Sequence, residues 1–215
     1  MAQEREPGAP GVADGVDPPI VAFDFDGTMT VRDSYTAFLK WRTPRAQLVL
    51  AGIRLIPAAL AYLVHRDRGR IKEQATKVLL GGVSRERLEA DATAFAEATS
   101  RSLLRPDAVA AWKRWRGERV RLIIVTASPE VVVAPFGRGL GADAVLGTHL
   151  EYDARGRITG RFVGPNNRGP EKVVTLNARY GDGVRLRAAY GDTDGDTEML
   201  AIADEPYFRV FTGKP

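Results

Sequence analysis

Apolar residues follow two rhythms along this chain, and the changes of rhythm divide it. The run Ile20-Val21-Ala22-Phe23-Asp24-Phe25-Asp26-Gly27-Thr28 predicts a β-strand to about Phe25 that ends in two carboxylates, followed by glycine and threonine. From Arg32 to Arg105 the pattern changes to apolar stretches at helical spacing with alanine-rich segments, which predicts several inserted helices over the strand ends. Strand character returns with Val120-Arg121-Leu122-Ile123-Ile124-Val125, a β-branched run suited to a buried strand, which ends in Thr126-Ala127-Ser128-Pro129. Pro129-Glu130 then opens a helix. Ala144 to Leu146 and His149 to Tyr152 predict two short strands, and Asp153-Ala154-Arg155-Gly156 a hairpin turn into a strand over Arg157 to Val163. Gly169-Pro170-Glu171-Lys172 starts a helix reaching about Arg179. Leu186 to Tyr190 predicts a strand ending in Gly191-Asp192-Thr193-Asp194-Gly195-Asp196, and Tyr207 to Phe211 a last one.

Strands alternating with helices imply an α/β fold with a mostly parallel sheet. At 215 residues the chain can bury one sizeable core with an inserted subdomain. The expected organisation is a disordered arm over residues 1–19, a catalytic core from 20–31 and 106–215, and a helical cap over 32–105. Residues 46–64 are apolar and close to the ~20 residues that span a bilayer. Arg54 and Pro57 in the middle favour a pair of cap helices, buried or lying at an interface with weak membrane association, over a transmembrane span.

Composition narrows the chemistry. The chain has no cysteine and only two histidines, His65 and His149, so thiolate catalysis and cysteine- or histidine-rich metal sites are excluded. Any metal must be held by oxygen, which points to magnesium, manganese or calcium. Absence of cysteine is compatible with a reducing cytoplasm, the expected location. The formal charge of +4 is spread along the chain instead of forming a stripe, so no nucleic-acid partner is expected. Gly137-Arg138-Gly139-Leu140-Gly141-Ala142 grazes a dinucleotide fingerprint but follows a helix, and reads as a helix end and loop. Trp112 and Trp115 fit one packed helix face.

Four segments far apart in sequence end in polar groups at predicted element termini: Asp24 and Asp26, Thr126, Lys172, and Asp192 with Asp196. Parallel topology gathers such termini at one sheet edge. Carboxylates for a divalent cation, with a hydroxyl and an ammonium for an oxyanion, are what phosphoryl transfer needs.

In this order the four segments resemble the motifs of the haloacid dehalogenase-like (HAD) hydrolase superfamily. The helical insertion and the hairpin around Ile158-Thr159-Gly160 resemble its subfamily IB, which includes phosphoserine phosphatases. The resemblance covers about Ile20 to Phe211 and implies a Rossmann-like sheet with an inserted cap of the C1 type. It implies that Asp24 is the nucleophile that forms an aspartyl-phosphate and Asp26 the general acid and base. Mg2+ would be held by Asp24, the Asp26 main-chain carbonyl and Asp192, while Thr126, Lys172 and the Gly27 N–H hold phosphoryl oxygens. Asp196 would support the metal or Lys172, and Asp194 would lie further out. Asp33 matches the acid that meets the substrate ammonium in phosphoserine phosphatases. Where those enzymes carry a cap arginine this chain has Thr76, with Lys77 and Lys72 nearby. The expected function is Mg2+-dependent hydrolysis of a small phosphorylated metabolite. The alternatives are the same chemistry on a lipid or bulkier phosphate, or a non-catalytic binding or regulatory protein on this fold.

Overall fold

The computed structural model describes residues 17–65 and 68–215; most of the predicted arm, and the His65 side chain, lie outside what is described. Strand β1 (Ile20–Phe23) leads into helices α1 (Ser34–Arg42), α2 (Arg45–His65), α3 (Arg68–Leu80), α4 (Arg85–Leu103) and α5 (Pro106–Arg116). There follow β2 (Arg121–Pro129), α6 (Glu130–Leu140), β3 (Ala144–Tyr152), β4 (Ile158–Val163), α7 (Pro170–Tyr180), β5 (Leu186–Gly191), α8 (Thr197–Ala201) and β6 (Ala203–Phe208). They build one six-stranded sheet in the order β4-β3-β2-β1-β5-β6. Every pairing is parallel except that of β3 with β4.

The central strands are apolar at successive positions because both of their faces are buried. Val21, Phe23, Leu122, Ile124 and Tyr190 pack on one side with Trp112, Trp115 and Phe136 of α5 and α6. Ile20, Ala22, Ile123, Val125 and Ala189 pack on the other with Leu176 of α7 and Met199 of α8. The indole N–H groups inside the first layer donate to the Leu140 carbonyl at 3.0 Å and the Tyr190 hydroxyl at 2.9 Å, as buried tryptophans require.

The inserted helices divide between two supports. Helices α1 and α4 share the sheet's own core: the Phe95 ring lies 5.5 Å from Phe38 and 5.7 Å from Phe136, which in turn lies 5.4 Å from Phe25. Helix α3 rests on the edge strand instead. Glu73 accepts a hydrogen bond from the Phe162 N–H at 2.8 Å, and the loop after α3 pairs with β4 through Gly82 N–H to the Ile158 carbonyl and Ile158 N–H to the Val83 carbonyl, both 2.9 Å.

Four local readings change. The first strand stops at Phe23, because the chain swings at Asp24 into a wide turn over Phe25–Met29 in which Gly27 has φ +87°. The two short strands predicted before the hairpin are one continuous β3, with Gly147 admitting the close approach of the Glu130 backbone. The last strand is Ala203–Phe208, earlier than the predicted Tyr207 to Phe211: Tyr207 lies within it and stacks on Tyr190 at 4.5 Å, while Phe211 is apolar because it stacks on Tyr190 at 5.3 Å from beyond the strand. Residues 46–64 form one helix, α2, which runs through Pro57 instead of breaking into a pair. Among the described residues no helix is long and apolar enough to cross a membrane.

Candidate active site

The polar termini meet at the carboxyl edge of the central strands. Asp24 and Asp26 follow β1, Thr126 and Ser128 end β2, Asp192 and Asp196 follow β5, and Lys172 sits in the first turn of α7. The Lys172 side chain is 1% exposed, a position an ammonium tolerates only when fully paired. Its three donors are satisfied by Asp24 Oδ1 at 2.6 Å, Asp196 Oδ1 at 2.7 Å and the Val125 carbonyl at 2.8 Å. Burial alone would lower the lysine pKa; the two carboxylates outweigh it and hold it above its ordinary value.

The carboxylates are held unequally. Burial pushes Asp24 up to about 7, with Lys172 pulling the other way and the Asp196 charge adding to the rise. Asp192 is raised by burial and by Asp196. Asp196 is also buried, yet Lys172 and the backbone N–H groups of Thr193 and Asp192, at 3.0 and 3.1 Å, keep it below the usual carboxylate range. Thr28 bridges the remaining pair, donating to Asp24 Oδ2 at 2.9 Å with Asp192 Oδ1 at 3.2 Å.

Oxygens of Asp24, Asp192 and Asp196 lie within 4.8 Å of one another, and the Lys172 ammonium pairs with Asp24 and Asp196. Three carboxylates against one ammonium leave a negative excess, and an all-oxygen donor set fits a hard divalent cation. Asp196 accepts from Lys172, from the Asp192 and Thr193 N–H groups and from the Thr193 hydroxyl, whereas Asp24 accepts one hydrogen bond on each oxygen and Asp192 shares one on Oδ1, so Asp192 and then Asp24 have more capacity to spare. Gly27 keeps that space open: a Cβ there would overlap the Asp192 carboxylate, and its positive φ would strain any side chain.

Asp26 faces away from this cluster. Its Oδ1 accepts from the Ser34 N–H at 2.6 Å, and its Oδ2 from Ser128 Oγ at 2.5 Å and, more weakly, Thr126 Oγ1 at 3.4 Å. Burial and the nearby Asp33 carboxylate push its pKa up, against the attraction of Lys72. One aspartate ion-paired to a lysine and a second biased toward its neutral form, two residues on, are an arrangement suited to nucleophile and acid.

A cavity of about 440 Å³ opens onto both aspartates and is walled by Asp33, Tyr62, Lys72 and Arg168 among others. Asp33 caps α1, accepting from the Thr36 N–H at 2.6 Å, and still borders this space. Thr76 is turned inward to Tyr35, their hydroxyls 2.6 Å apart, while Lys72, one helical turn earlier, lines the cavity with Ile71 and Ala75. Thr126 is wholly buried and receives the Ser128 N–H at 3.0 Å, and the Gly27 N–H donates to Thr30 Oγ1 at 3.2 Å. Asp194 lies apart, against Arg168.

Sequence reasoning assigned no role to Ser128, Thr28 or Arg168. The signal for Ser128 was present in Thr126-Ala127-Ser128, since residues alternating along a strand end share a face. Thr28 stood inside the first motif, whereas nothing in the pattern marked Arg168.

This fold and its carboxylate-lysine cluster point to one family: the chain belongs to the haloacid dehalogenase-like hydrolases, whose family model matches residues 21–201. It is 55% identical over 202 residues to protein CicA of Caulobacter vibrioides, covering 94% of this chain and 90% of that one. Among solved structures, a Bordetella pertussis protein of unknown function superposes with a TM-score of 0.73 at 25% identity, covering 89% of both chains. A phosphoserine phosphatase in its apo form has the same fold, with a TM-score of 0.59 at 16% identity over 89% of this chain and 86% of that one.

Proposed function

We propose that the protein is an Mg2+-dependent phosphomonoesterase that works through an aspartyl-phosphate on Asp24. The observation that carries the reading is Lys172, buried between Asp24 and Asp196 beside the open carboxylate Asp192. In the first half-reaction an Asp24 oxygen bonds to phosphorus while the ester oxygen leaves with the Asp26 proton. In the second, Asp26 takes a proton from water, which attacks the phosphoryl group and releases phosphate, returning both aspartates to their starting states. Bound by Asp24, Asp192 and the Asp26 carbonyl, Mg2+ would supply positive charge against the equatorial phosphoryl oxygens. Lys172 adds charge from the protein side and Asp196 keeps that lysine aimed. Thr126, through its hydroxyl, and the Gly27 N–H are the further phosphoryl-binding groups in this reading.

The substrate class is a small phosphorylated metabolite, with Asp33 and Lys72 on the cavity wall suited to charged groups beyond the phosphate. A lipid or bulkier phosphate is the second reading, favoured by the exposed apolar face of α2, whose Tyr62 borders the same cavity.

The test is phosphate release from a panel of phosphomonoesters by the wild type and Asp24→Asn, with Mg2+ and with chelator. Turnover lost both with the substitution and with chelator supports the proposal. A folded protein inactive on every ester sinks it in favour of a binding or regulatory role.

A further inference from the structure

A surface helix ordinarily hides one face and solvates the other. Helix α2 does not. Its inward side is Leu48, Ala51, Leu55, Ala58 and Tyr62, at intervals of three and four residues, and these are buried or half-buried. Its outward side is Val49, Ile53, Ile56, Leu60 and Leu63, at intervals of four and three, and each of these is between 53% and 67% exposed. Leu50 adds to the same patch, and half-exposed Trp41 lies just before the helix. From Val49 to Leu63 the stripe is about 21 Å long, on a helix of about 30 Å. A continuous apolar surface of this kind marks an interaction site.

Charge selects the occupant. Between Asp33 and Asp67 the sequence has no acidic residue, while Lys40, Arg42, Arg45 and Arg54 all fall there. Arg42 is held by Asp91 at 2.7 Å, but Lys40, Arg45 and Arg54 are exposed. A second copy packed through this face would bring together two cationic segments with no carboxylate of α2 to offset them. An anionic lipid surface offers apolar depth and negative headgroups at once. Arg54 and Pro57 in the middle of α2 disfavour a crossing, its inner side is taken up by protein, and among the described residues no helix is long and apolar enough to cross a membrane, so a membrane-bound α2 lies in the plane.

We propose that α2 is an in-plane anchor that docks the protein on an anionic bilayer, its Val49-Ile53-Ile56-Leu60-Leu63 stripe sunk below the headgroups and Lys40, Arg45 and Arg54 facing lipid phosphates. Tyr62, on the inner side of the same helix, lines the cavity at Asp24, so docking sets the cavity mouth close to the membrane. The proposal does not depend on turnover.

The experiment is co-sedimentation of the purified full chain with vesicles of phosphatidylcholine alone or of equal parts phosphatidylcholine and phosphatidylglycerol, at low and high salt. It is run on the wild type, the Ile53→Glu/Leu60→Glu variant and the Arg45→Glu/Arg54→Glu variant, with gel filtration and circular dichroism on each. The wild type is expected to pellet with the anionic vesicles, less so at high salt. Either double substitution, on a fold unchanged by circular dichroism, is expected to weaken binding roughly tenfold or more. Wild type left in the supernatant of both vesicles overturns the proposal, as does pelleting that neither variant reduces. A dimer that the Ile53→Glu/Leu60→Glu variant dissolves, with no vesicle binding, assigns the face to a second copy instead.

Discussion

Ser128 has a different task from the aspartates it serves. Its hydroxyl donates to Asp26 Oδ2 at 2.5 Å and its N–H to Thr126 Oγ1 at 3.0 Å, so one residue fixes the Asp26 rotamer and ties β2 to the turn after β1. It also favours the ionised carboxylate against the upward push of burial. A hydrogen bond to a charged group contributes about 1.5–3 kcal/mol. Ser128→Ala is therefore expected to lower kcat by about ten- to a hundredfold with little change in KM. The limb of the pH–rate profile that belongs to Asp26 should move to higher pH, a shift that a purely structural loss would not produce. Ser128→Thr, which keeps the donor, should recover part of the rate.

At the scale of elements, the consequential contact is between α4 and α6. Phe95 is 1% exposed and meets Phe38, Trp41 and Phe136, joining the inserted helices to the helix that follows β2. Phe95→Ala should cost about 3–5 kcal/mol. Because α1 and α4 share the sheet's core, denaturation followed by tryptophan fluorescence should show one earlier transition, not separate loss of a cap. The sequence disclosed the central strands well, because burial on both faces makes them unbroken apolar runs. It disclosed β6 poorly, since an edge strand carrying Asp204, Glu205 and Pro206 has no such run. The outer face of α2 was also illegible: a helix with apolar residues on two sides looks the same whether protein or something else covers the second.

For the whole molecule, the carboxylate cluster predicts a stability that depends on a cation. Asp24 and Asp192 are both raised by burial and by the Asp196 charge in the folded state and are far apart in the unfolded chain, so a divalent ion is expected to bind the native form preferentially. At about a hundredfold excess over Kd that preference stabilises by about 2.7 kcal/mol, a rise in Tm of roughly 5–10 °C for a chain of this size. Differential scanning calorimetry with and without Mg2+ should show it, and Asp192→Asn should abolish it; an unchanged Tm in the wild type would count against a metal at this site. The site was largely legible from sequence because its residues close strands and open helices, where topology alone brings them together. Which of them touch was not, since Thr76 turning inward and Lys72 reaching the cavity depend on helix rotation.

One rim of the sheet is covered and the other interrupted, and this limits how the protein can fail. The outer side of β4 is already hydrogen-bonded to the loop after α3 and to Glu73, while β6 has Pro206, which lacks an N–H, and two acidic residues. Among the described residues an extended peptide therefore meets a covered rim at β4 and, at β6, a row of donors and acceptors interrupted by Pro206 and flanked by acidic side chains. When crowded away from a suitable surface, molecules of this protein should cluster through side chains on α2, as droplets or small oligomers that detergent disperses, and not as fibres growing strand upon strand.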